Sequence, residues 1–82
     1  MGYFKLSLNK DIIICAFNMA RVSRLPEDEG EGYRVTLTTT DGIRVSVLET
    51  PSYTEALNLL GECEDVLVNG GVLDLAEPFY LA

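Results

Sequence analysis

The residues best equipped for chemistry are two cysteines, Cys15 and Cys63, and a few clusters of charged side chains. A cysteine nucleophile needs a base that holds it as thiolate, and this chain has no histidine. The same absence removes the commonest general base. With no Cys-x-x-Cys pair either, a zinc site built from His and Cys is excluded within one chain. Both cysteines fall among apolar residues and are expected to be inert, buried thiols. Glu27, Asp28, Glu29 and Glu31 could offer carboxylates to calcium, but they lack the D-x-[DN]-x-[DN]-G pattern and the distal Glu of a calcium loop. A solvated loop is expected there. Glu62, Glu64 and Asp65 form a second acidic cluster near a helix end, where negative charge opposes the helix dipole. The expected counter-charge is an arginine of the same chain, and the alternative is a basic partner. Asn69-Gly70-Gly71 lacks G-x-x-x-x-G-K-[ST] and reads as a plain turn. Arg21, Arg24, Arg34 and Arg44 are candidates for a small basic patch on the polar side of a sheet, with pairing to acids across strands as their expected role. No catalytic residue, metal ligand or cofactor is expected, and the chain does not read as an enzyme.

Charge is distributed unevenly. All six basic residues lie at or before Arg44, together with six of the 13 acids; the remaining seven acids follow and carry the whole net charge of −7. Such a surface should repel nucleic acid and anionic lipid, because phosphate binding relies on Lys and Arg. Negative charge either keeps a small domain in solution or meets a basic partner protein. The longest apolar run, residues 12–17, is far short of the ~20 residues of a membrane span. Neither a signal peptide nor an N-terminal lipidation motif is recognised, since Leu6 stands where the latter wants Ser or Thr. The expected location is cytoplasmic.

The elements follow from pattern. Residues 3–8 alternate, with Phe4, Leu6 and Leu8 on one face, and residues 12–15 are a β-branched run; together they predict a small hairpin. Residues 16–20 read as a helical turn or a strand bend at Asn18, and 21–25 as a third strand, with helix over 12–24 as the competing prediction. Asp41-Gly42 between two alternating runs is the strongest hairpin signal. A two-residue turn would mix apolar and polar residues on each face. A three-residue loop, Thr40-Asp41-Gly42, sets Leu37 opposite Val45, Val35 opposite Val47 and Tyr33 opposite Glu49. One face is then almost wholly apolar, with Leu48 left as the exception on the other, so burial selects this register.

After the hairpin, Thr50 or Ser52 caps a helix, the latter with Glu55 as a capping box. Tyr53, Ala56, Leu57, Leu60 and Cys63 are spaced as one helical face, and the helix is expected to stop near Glu64. Residues 66–68 and 72–75 read as two very short strands about the Asn69-Gly70-Gly71 turn. The expected fold is a single α+β domain over residues 1–82: an antiparallel meander of about five strands covered on one face by a single helix, with a β-like tail.

The order of short strands, charged loop, Val35-Thr36-Leu37, Gly42, Val47, Glu49, then Ser52 and Glu55, resembles the short FlbD-type proteins associated with flagellar and swarming motility. It is similar too to other small bacterial sheet-plus-helix proteins of unassigned function. The resemblance implies a helix-capped sheet over roughly residues 3–60. The acidic insertion at 27–32 and the tail after Glu64 depart from it, and the regulatory or nucleic-acid-linked roles of such proteins are not expected on so acidic a surface.

Two functions are weighed. One is a non-enzymatic interaction or assembly module that binds a protein partner or itself, with Phe79, Tyr80 and Leu81 as contacts. The other is an acidic inhibitor from a mobile element that mimics nucleic acid and blocks a basic channel, with Glu62, Glu64 and Asp65 as contacts. Direct nucleic-acid binding and membrane association are not expected in either.

Overall fold

The computed structural model describes residues 2–8, 11–74 and 80–81. In chain order these form β1 (Gly2–Leu8), β2 (Asp11–Arg24), a 3-10 turn (Glu27–Glu29), β3 (Tyr33–Thr39), β4 (Arg44–Thr50), α1 (Tyr53–Asn69), β5 (Val72–Asp74) and β6 (Tyr80–Leu81). One sheet, ordered β5-β1-β2-β3-β4-β6, is covered on one face by α1. The α+β class and the β2-β3-β4 meander match expectation. The sheet is mixed rather than wholly antiparallel, because β5 runs parallel to β1, pairing Phe4 with Leu73.

Residues 11–24 are one strand of 14 residues, not a helix. β2 pairs with β1 over its first half and with β3 over its second, and Asn18 is the extra residue of a bulge between them. The bulge lets a strand too long for one neighbour bend across two.

The central hairpin has the three-residue loop. The Thr39 N–H donates to the Ile43 carbonyl at 2.8 Å, the Ile43 N–H donates to Thr39 Oγ1 at 3.0 Å, and Gly42 takes φ 88°. Leu37 lies opposite Val45 as expected. The register then shifts: Val35 pairs with Leu48, and Arg34 with Glu49, leaving Val47 as the extra residue. This corrects the uniform register. The bulge returns Leu48 to the apolar face and moves Glu49 from Tyr33 to Arg34, so it resolves the one side chain that alternation left out of place.

Ser52 caps α1. Its Oγ accepts from the Glu55 N–H, while the Thr50 hydroxyl donates to the Glu55 carboxylate and accepts from the Ser52 N–H. Thr50 thus stands inside the capping box and is itself buried. The helix runs on through Val66, Leu67 and Val68, which were expected as strand. Val66 and Leu67 follow Cys63 by three and four residues, so continuing the helix lays them on the core. It ends at Gly70, whose φ is 78° and whose N–H donates to the Val66 carbonyl.

The core joins Phe4, Phe17, Val35, Leu37, Ala56 and Cys63, all fully buried. Phe4 and Phe17 meet edge-on with ring centroids 5.8 Å apart. The helical stripe is rotated from the expected one. Ala56, Leu59, Cys63, Val66 and Leu67 face the sheet, while Tyr53 and Leu57 are exposed. Tyr53 instead lies against Tyr33 at the rim, centroids 4.8 Å apart.

Candidate interaction surfaces

Strand register assigns each residue to a face of the sheet. Positions paired with Phe17, Val35 and Leu37 point to α1, and their neighbours point to the other face, open among the described residues. Apolar and charged residues, Lys5 and Asp74 among them, share that open face. Around β5, β1 and β2 stand Tyr3, Ile14, Met19 and Val72, each between 40% and 59% exposed. Around β3 stand arginines: Arg21 opposite Thr36, Arg44 opposite Thr38, and Arg34 opposite Ser23 and Glu49.

The arginines differ in what they face. Arg34 Nη2 is 2.8 Å from Glu49 Oε2 and 2.8 Å from Glu29 Oε2, and its Nε donates to Glu49 at 3.0 Å. The hydrogen bond to Glu49, then the one to Glu29, outweighs desolvation and raises the guanidinium pKa above its ordinary value. The pairing also ties the acidic 3-10 turn to the sheet, so the 27–32 insertion is anchored at Glu29 although its side chains are exposed. Arg21 and Arg44 have no ion pair among the described residues. With Met19, Thr36 and Thr38 they line a depression of about 580 Å³. Arg24 pairs with Tyr33 and so falls on the other parity, which reduces the expected four-arginine patch to three.

On the far side of α1, Glu62, Glu64 and Asp65 are exposed. The expected arginine partner is not there: among the described residues none of the three forms an ion pair, and Asp65 only accepts from Asn69 Nδ2 at 2.6 Å. Because α1 extends to Asn69, they sit one to two turns before its end. The last turn holds no basic residue. Tyr80 and Leu81 lie elsewhere, in β6, paired with Ser46 and Val45. Phe79 lies outside the described residues. The sequence-derived contacts therefore occupy two separate elements.

The thiols divide. Cys63 is fully buried in the core, and burial, with Glu62 and Glu64 adding to it, pushes its pKa up to about 11. A thiol so raised is no nucleophile at neutral pH. Cys15, opposite Phe4 on the α1 side of the sheet, is only half-buried, contrary to expectation. Among the described residues no three His, Cys, Asp or Glu side chains gather to hold a metal, and no helix is long and apolar enough to cross a membrane.

The apolar half of the open face was missed by sequence reasoning. Its signal was present: the run 12–17 is apolar at every position, so whichever face α1 covers, the other is left with large apolar side chains. Comparison with family models, curated proteins and solved structures finds no match.

Proposed function

We propose that this protein is a non-enzymatic assembly module that associates with further copies of itself through its open sheet face. One observation carries this: among the described residues α1 is the sole cover of the sheet, and the other side presents Tyr3, Ile14, Met19 and Val72, with Tyr3 and Val72 directly paired and Lys5 and Asp74 beside Ile14. Grouped apolar exposure on a small domain marks a contact surface, and a chain of this size gains stability by associating. Light scattering tests it. The native chain should show a mass that grows with concentration, and Ile14→Asp with Val72→Asp should hold it as a folded monomer by circular dichroism. A native chain that stays monomeric throughout would end this proposal.

A second proposal, the acidic inhibitor, draws support from Glu62, Glu64 and Asp65, exposed together on α1 without counter-ions among the described residues. It expects binding to a basic channel that weakens steeply with salt. Neutralising the three acids together should abolish that binding.

A further inference from the structure

We propose that the arginine half of the open face receives the acidic side of α1 from a second copy, so that the chains stack head to tail. The inference rests on the assembly function above and names the surfaces that meet. Arg21 and Arg44 flank β3 from β2 and β4, two strand spacings across and two residues along, or roughly 12 Å apart. That is about the width of a helix with its side chains. Their like charges stand over Thr36 and Thr38 with no anion of their own chain beside them among the described residues, since Glu49 and Glu29 are taken by Arg34.

The complement is on the same chain. Glu62 and Asp65 are three residues apart and share a side of α1, turned away from its own sheet. Val68, 82% exposed on that helix, supplies an apolar partner for Met19, which is 53% exposed beside the arginines. One contact thus compensates two charged sets that lack counter-charges, and it gives each sheet a helix on both faces. The two surfaces differ, so the contact is heterologous and propagates unless it closes into a ring. Net charge of −7 repels copies at long range, but that field fades within about 8 Å at physiological ionic strength.

The test is charge reversal with complementation, read by light scattering on the full chain. All five charged positions are exposed, so the fold should survive, as circular dichroism will check. Arg21→Glu with Arg44→Glu should leave a monomer. So should Glu62→Lys, Glu64→Lys and Asp65→Lys together. Mixing the two variants pairs each reversed surface with its new complement and should restore the native mass distribution. If the native chain assembles and the helix variant assembles equally well alone, the head-to-tail contact is overturned while the open-face assembly stands. If the mixture stays monomeric, the inference also falls. A native chain that never assembles overturns both.

Discussion

The two faces of the sheet carry similar residues and meet different fates. Toward α1, Phe4, Phe17, Val35 and Leu37 are fully buried; away from it, Ile14 and Met19 are more than half exposed. Residue type does not decide this, since Ile14 is as apolar as Val35. What decides it is how closely a cover can approach. α1 reaches the sheet through small side chains, Ala56 and Cys63, and over Gly2, where an added Cβ would stand 2.9 Å from Val66 Cγ1. The open face carries arginines and, among the described residues, no such cover. A half-buried sheet is therefore an asymmetric object: one side is covered by α1, and the other is left open by the described residues.

The widest expected gap between the faces is energetic. Phe17→Ala should cost about 3–5 kcal/mol, from lost transfer energy and the cavity left behind. Ile14→Ala should stay within about 0.5 kcal/mol at high dilution and cost more as concentration rises, if the face is covered by association. Urea denaturation at two protein concentrations reads both, and equal losses for the two variants would erase the contrast.

Two glycines sharpen the comparison at its margins. Gly32 has φ +137°, and an added Cβ would stand 2.7 Å from the Thr50 carbonyl oxygen; Gly42 has φ +88° and open space around it. Gly32→Ala should cost about 2 kcal/mol or more, from strain plus a backbone clash. Gly42→Ala should cost about 1 kcal/mol, from strain alone. Reversed ranking in thermal melts would place the tight contact elsewhere.

The smallest effect concerns the thiols. Cys63, on the covered side, should react with a thiol reagent far more slowly than half-buried Cys15 in the folded chain. Its folded pKa is about 11 against an ordinary 9.0. The folded state therefore keeps a proton that the unfolded state gives up, and stability should fall between about pH 9 and pH 11. Cys63→Ala should remove that part of the slope in alkaline denaturation.

Local pattern was enough for some of this and not for the rest. Leu37 opposite Val45, the loop at Gly42 and the Ser52 cap follow from alternation and capping chemistry within a few residues. The bulge at Val47 did not, although Leu48 on the wrong face marked it: an extra residue reverses parity, and strict alternation has no place for one. Val66 to Val68 looked like strand because two of the three are β-branched, yet their spacing from Cys63 puts two of them on the core, and tertiary packing overrode propensity. The β1–β5 pairing joins residues at opposite ends of the chain, where no local signal exists. Of the surfaces, the acids on α1 were legible as exposed. The division of the arginines was not, because it depends on the shifted register that hands Glu49 to Arg34.

That β1–β5 pairing also sets a timetable. β1 is made before its outer neighbour, Val72–Asp74, which follows β2, the hairpin and the helix. Closing so long a loop is entropically costly and slow. Until it closes, the outer edge of β1 is unpaired, the kind of edge to which other unfinished chains adhere. Truncation before Val72 would leave that edge unpaired for good.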